Sequence, residues 1–190
     1  MSGMRLEKKY SNNLAIRCTF KIEKAMTYGI VGENGAGKTT LCSMLNSQIQ
    51  KTSGELQVGK MNEFKNLLSK NLGMCFQQDA LWLELTIRDH IDLYANLKGE
   101  PSNEKIVFLL QIFDLWDHLD KPIFYLSPGL RRKLSIIISL LGKPELLMLD
   151  EATVNLDPQS RFYLKTLLNF YKEQMETTSI ITTHMVNEIE

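Results

Sequence analysis

Net charge, cysteine, long apolar runs and repetition are all scarce in this chain of 190 residues. Lys plus Arg number 22 and Asp plus Glu number 22, so the formal net charge is zero. Domains that bind nucleic acid usually carry a basic excess, and nothing here suggests such a partner. Three cysteines, Cys18, Cys42 and Cys75, show no metal-ligand spacing. Their odd number argues against a disulfide framework and suits a reducing compartment. No apolar run approaches the ~20 residues that span a bilayer. The longest, Leu134 to Leu141, is short and carries two serines. Met1 to Tyr10 lacks the apolar core of a signal peptide. These absences lead to the expectation of a chain soluble by itself, without repeats or low-complexity segments. Hydrophobic residues at 44% and charged residues at 23% are globular values, and the length suits one domain, 1–190, with a sizeable core.

The apolar pattern alternates between two periods. Leu14, Ile16, Cys18, Phe20 and Ile22 mark a half-buried strand. Tyr28 to Val31 reads as a buried strand, and Thr40 to Gln50 as a helix. Ser53-Gly54 is a turn signal, and Glu55 to Val58 a short strand closed by Gly59. Leu72 to Phe76 is another strand. Thr86 opens a helix with Ile87, Ile91, Tyr94, Ala95 and Leu97 on one face, and Gly99-Glu100-Pro101-Ser102 breaks it. Ile106 to Phe113 and Arg131 to Leu141 are helical. Leu146 to Leu149 is fully apolar, as buried parallel strands are. Arg161 to Lys172 is an amphipathic helix, and Ser179 to Thr182 a last strand ending at His184. Strands alternating with helices predict an α/β fold with a mainly parallel sheet flanked by helices. A small β part precedes it, and a helical insert over about 80–141 looks like a separate lobe.

Gly32-Glu33-Asn34-Gly35-Ala36-Gly37-Lys38-Thr39 matches G-x-x-x-x-G-K-[ST], the phosphate-binding P-loop. Its glycines let the backbone wrap an anion, so that N–H groups and the positive end of the next helix face it. Lys38 adds a point charge for the β- and γ-phosphates, and the Thr39 hydroxyl can ligate Mg²⁺. Further along, Leu146 to Leu149 is followed by Asp150 and Glu151. A buried parallel strand delivers its C-terminal carboxylates to the crevice where nucleotides bind. Asp150 is placed to hold Mg²⁺, directly or through water, and Glu151 to polarise an attacking water.

Three more features fall in order: Leu126-Ser127-Pro128-Gly129-Leu130 before a helix, Val154-Asn155-Leu156-Asp157 after the acidic pair, and His184 at a strand end. With them the chain resembles the nucleotide-binding domain of ABC transporters, from about residue 5 to 190. The order matches that family's A-loop, Walker A, Q-loop, signature, Walker B, D-loop and H-loop. Gly73 to Leu81 and Arg131 to Ser135 look most like the A subfamily, whose members are often lipid exporters. The resemblance implies a P-loop NTPase fold, ATP and Mg²⁺ as cofactors, and a cassette that hydrolyses ATP as a head-to-tail dimer. It implies the cytoplasmic face of a membrane, with transmembrane partners docking on 78–86, where Leu81, Trp82 and Leu83 look exposed. Trp82 filling the core of the helical insert is the plain alternative. Under the resemblance Tyr10 stacks on adenine, unless it is an ordinary edge-strand tyrosine. Gly32, Asn34, Gly35, Ala36, Gly37, Lys38, Thr39 and Thr40 wrap the phosphates. Gln77, with Gln78 as its rival, touches Mg²⁺ and senses the γ-phosphate. His184 contacts that phosphate, and Asp157 couples two sites across the dimer. His90 and His118 read as surface or packing residues.

The chain departs from the family in two places. Where the family signature has Leu-Ser-Gly-Gly-Gln, Pro128 lacks an N–H and Leu130 an amide side chain. Ser127 and Gly129 keep part of the anion site. The departure implies a second cassette with an intact signature loop as partner. Family domains also continue past the H-loop, whereas Met185 to Glu190 only begins a helix, which implies a fragment or a shortened product. Two other readings stand beside the transporter engine: a non-catalytic, regulatory half of an unequal pair, and a soluble ABC ATPase. The second usually brings tandem cassettes, coiled-coil insertions or basic surfaces, none visible here.

Overall fold

A computed structural model of the chain describes residues 1–11, 13–57, 71–100 and 102–184. The readings for Val58, Gly59, Pro101 and Met185 to Glu190 lie outside the described residues. Strands β1 (Ser2–Tyr10), β2 (Asn13–Lys21) and β4 (Ser53–Gln57) form an antiparallel sheet in the order β2-β1-β4. Strands β3 (Thr27–Val31), β5 (Leu72–Cys75), β6 (Leu146–Asp150) and β7 (Thr178–Thr183) form a parallel sheet in the order β3-β7-β6-β5. The helices are α1 (Lys38–Leu45), α2 (Ile87–Lys98), α3 (Asn103–Ile112), α4 (Pro128–Leu140) and α5 (Pro158–Met175). This is the α/β fold of P-loop NTPases that the alternating pattern predicts.

Register decides where the chemistry sits. Val31 pairs with Thr183, Asp150 with Thr182, and Cys75 with Leu149. The four parallel strands therefore end together, and the residues just beyond them share one edge of the sheet. Strand β6 is buried along its whole length because β5 and β7 flank it. Strand β3 differs from the buried strand expected. It is an edge of the sheet among the described residues, and Val31 is 43% exposed.

Local chemistry sets the helix ends. Thr86 and Asp89 form a reciprocal capping box at α2, which Gly99 closes in the left-handed region at φ +65. Helix α1 stops at Leu45 rather than Gln50. Asn46 closes it, accepting the Gln48 N–H on its side chain, and Ser47 takes φ +64. Helix α4 starts at Pro128, three residues before the expected start. Ser127 caps it, and Pro128 at the first helical position gives up an N–H the helix does not need.

The helical insert is not a separate body. Ile87, Leu110, Phe113, Leu134 and Ile137 share one apolar core with Cys75, Leu147 and Leu149 of the sheet. Leu97 is 67% exposed and lies off the buried face of α2. The inward position is Lys98, whose Nζ donates to the Ile138 carbonyl at 3.0 Å, in the last turn of α4. Burial, then the charge of Lys105, pushes the Lys98 pKa down from 10.5 to about 8. At pH 7 the ammonium is charged in both the folded and unfolded chains, and the folded chain carries the cost. Between pH 8 and 10.5 the unfolded chain binds more protons, so stability rises with pH, by about 3 kcal/mol across the window. Lys98→Met removes that cost and also a hydrogen bond worth ~1 kcal/mol. Denaturant unfolding is expected to show the variant more stable than the wild type at pH 7, with the gap closing by pH 10.5. A gap independent of pH would contradict this account of Lys98.

Candidate nucleotide site

The loop after β3 is held from outside. Gly37 adopts φ +90, and a Cβ placed there would lie 2.7 Å from the Ala15 carbonyl oxygen of β2. Only glycine fits both the dihedral and the contact. Gly35 also takes a positive φ, at +82, and a Cβ there would point into open space. Gly37 caps α1 without a side chain, so the first N–H groups of α1 have no side-chain acceptor. Gly32, Asn34 and Ala36 belong to the same loop, and Thr40 lies in the first turn of α1. The Ala36 N–H donates to the Glu33 carbonyl, and Gly32 lies against Ala36.

Lys38 is 6% exposed. Its Nζ donates to the Gly32 carbonyl at 2.8 Å and the Glu33 carbonyl at 3.1 Å, and lies 3.5 Å from the Glu151 carboxylate. Gln77 joins the same cluster from the loop after β5. Its Oε1 accepts from the Thr39 hydroxyl at 3.3 Å, and its Nε2 donates to Glu151 Oε2 at 3.2 Å. These contacts belong to Gln77, not Gln78. Asp150 is 2% exposed and accepts a short hydrogen bond from the Thr182 hydroxyl. Burial, with the nearby Asp150 charge, pushes the Cys42 thiol of α1 up to about 12, which keeps it protonated beside the loop. His184 follows Thr183, the partner of Val31, and so stands at the same sheet edge, exposed. A P-loop lysine, a hydroxyl, an amide and the Glu151 carboxylate thus converge, with Asp150 the residue before Glu151 at the end of β6. Thr39, Gln77 and Asp150 carry oxygen atoms of the kind Mg²⁺ prefers.

The remaining candidates lie away from this cluster. Tyr10 ends β1, paired with Asn13 across the hairpin whose second strand packs on Gly37. It is 51% exposed, with Lys8 Nζ 5.1 Å from its ring centre. Ser127 and Gly129 stand at the start of α4, where Ser127 Oγ accepts the Leu130 N–H at 3.3 Å. A Cβ on Gly129 would lie 2.9 Å from the Asn155 carbonyl. Asp157 caps α5, accepting from the Ser160 N–H at 2.8 Å, and pairs with Lys133 at 2.9 Å. Lys133 first, then the Ser160 N–H, hold its carboxyl well below the usual range. Among the described residues none of these four bonds to Lys38 or Glu151.

Trp82 is 50% exposed and Leu83 40%. Trp82 does not fill the core. It stacks on Tyr94 with centroids 6.2 Å apart, beside the buried His90, whose Nε2 accepts the Trp82 backbone N–H. Leu81 packs against the core. The sequence reading missed Arg132 and Lys133, both buried in α4. The signal was available: two cations precede an apolar run that leaves no solvent-facing side, so each needs an anion.

A family model described as ABC transporter matches residues 16–154. The chain is 36% identical over 186 residues to ABC transporter A family member 12 of Arabidopsis thaliana, covering 93% of this chain and 20% of that protein. It is 33% identical over 186 residues to human ATP-binding cassette sub-family A member 10, covering 93% and 12%. It is 30% identical over 178 residues to the rat protein named cholesterol transporter ABCA5, covering 90% and 11%. The chain spans about a tenth to a fifth of the length of these relatives. Its fold matches a dimeric ATP-binding cassette in a post-hydrolysis state bound to ADP and Pi, at TM-score 0.85 and 22% identity, covering 98% of this chain and 89% of that one. It also matches an archaeal ribosome recycling factor at TM-score 0.80 and 25% identity, covering 100% and 34%.

Proposed function

The chain belongs to the ABC transporter family of ATP-binding cassettes and is most like its A subfamily; from that premise we propose that it binds and hydrolyses Mg·ATP to power a membrane transporter. The observation that carries the reading is the cluster of Lys38, Thr39, Gln77 and Glu151 at the common end of the parallel strands. Backbone N–H groups from Gly32 to Thr40 and the Lys38 ammonium hold the phosphates, and Tyr10 stacks on the base. Thr39, Asp150 and Gln77 would hold Mg²⁺, which would supply charge neutralisation on the phosphate oxygens. Glu151 accepts a proton from, or polarises, the attacking water. Gln77 and His184 orient the terminal phosphate. The protein works at the cytoplasmic face of its membrane, with membrane partners docking on 78–86. The name of the ABCA5 relative favours a lipid cargo.

Ser127 and Gly129 make no contact with the P-loop of their own chain among the described residues. A signature loop placed so serves a nucleotide on a second cassette, across the interface that Asp157 lines. Pro128 removes one backbone donor from that loop while leaving the Ser127 cap in place. The chain is therefore expected to self-associate weakly and to prefer a partner with the full signature. In a Glu151→Gln background, Pro128→Gly is expected to strengthen ATP-dependent self-association about a hundredfold, from one charge-assisted N–H bond at each of the two sites of the homodimer. Leu130 is left alone, because it packs partly against the core. Sedimentation with and without ATP measures this. Association indifferent to ATP in both proteins would contradict the dimer reading.

A further inference from the structure

Helix α4 carries a buried cation that touches both arms of the nucleotide cluster from behind. The Arg132 side chain is 4% exposed. Its Nη2 donates to the Asp150 carbonyl at 2.8 Å and the Glu151 carbonyl at 2.6 Å. Its Nε donates to the Ala152 carbonyl at 3.3 Å. Its Nη1 donates to the Phe76 carbonyl, at the start of the Gln77 loop, and to Asp79 Oδ1 at 3.1 Å. Asp79 is fixed in turn by the Ser135 hydroxyl at 3.0 Å, one turn further along α4. One planar guanidinium thus spans the ends of β5 and β6, a reach that needs the rigid fork of arginine.

Glu151 needs such support. It sits at φ +50, where a residue with a Cβ is strained. Thr182 accepts its N–H through both carbonyl and hydroxyl, at 3.1 and 2.9 Å, and Arg132 takes its carbonyl. The peptide is clamped on both sides, which aims the carboxylate at Lys38 and Gln77. We propose that Arg132 is a positioning residue: it fixes Glu151 and the Gln77 loop in one register, so the placement of α4 sets the geometry of hydrolysis. The inference rests on the ATPase reading above.

The test compares Arg132→Lys with the wild type in the intact protein, measuring Mg·ATP affinity and single-turnover hydrolysis. Lysine keeps the charge beside Asp79 but cannot bond all the carbonyls. Affinity is expected to stay within about threefold, while the rate falls on the order of 10²-fold, as small misplacements of reacting groups do. In a Glu151→Gln background the same change is expected to cost nothing further, because the two residues act as a unit. Losses of affinity and rate together, or a full further loss in that background, would overturn the inference in favour of a merely structural role. So would an unchanged rate. If Arg132→Lys does not fold, Asp79→Asn carries the test: a lower rate at unchanged affinity supports the inference, and an unchanged rate overturns it. A wild type that binds ATP without turning it over overturns the ATPase reading, and the inference with it.

Discussion

Glu151→Gln is expected to lower ATP hydrolysis by ~10²–10⁴-fold while keeping, or tightening, Mg·ATP binding. The amide keeps the side chain's shape and can still bond Gln77, so the turn at φ +50 is preserved. What is lost is the acceptor that polarises water. The geometry also gives a sign for binding. The carboxylate lies 3.5 Å from the Lys38 ammonium, so it competes with an arriving phosphate for that charge and repels it. Removing the charge relieves both effects. Turnover at the wild-type rate would show that Glu151 is not the acceptor. A drop in affinity would show that the carboxylate supports the loop rather than the reaction.

The second large effect is on binding. Lys38→Ala is expected to weaken Mg·ATP affinity at least about a hundredfold, from the loss of charge-assisted bonds worth ~3 kcal/mol. Lys38 is buried, so its ammonium is presented with little freedom left to lose. The change also strips Glu151 of its cation and leaves a carboxylate facing the place of the phosphate. Lys38→Ala combined with Glu151→Gln should therefore recover part of the lost affinity. Equilibrium titration with a fluorescent ATP analogue reads both variants. Equal affinity in Lys38→Ala and the wild type would contradict the assignment of the loop.

Much of this architecture could be seen in the residues, for physical reasons. Glycines spaced around Lys38 are tolerated together only where backbone must curl, and four apolar residues before Asp150 and Glu151 can only be a buried strand with its acids at the end. The errors came where tertiary contacts decide. The apolar pattern runs past Leu45, and the stop there comes from Asn46 and Ser47, whose closing turn hydropathy does not show. Nothing in Tyr28 to Val31 reveals an edge strand, since that depends on which strands lie beside it. Leu97 lies outside although a hydropathy pattern favours leucine inside. Lys98 is inward, its amine reaching the Ile138 carbonyl in the last turn of α4. For Arg132 the residues signal a buried cation, but not its partners, which are Asp79 and backbone carbonyls far along the chain. The position of Gln77 depends on the loop after β5, where it lies between Thr39 and Glu151.

The central claim is that the loop around Lys38 holds Mg·ATP. Thermal unfolding of the wild type and Lys38→Ala, each with and without Mg·ATP at about 100 times its Kd for the wild type, tests it most directly. Binding at that excess stabilises the folded state by about 2.7 kcal/mol, which for a chain of this size raises Tm by ~5–10 °C. The account predicts that rise in the wild type and almost none in Lys38→Ala. No rise in the wild type, or an equal rise in both proteins, would contradict it.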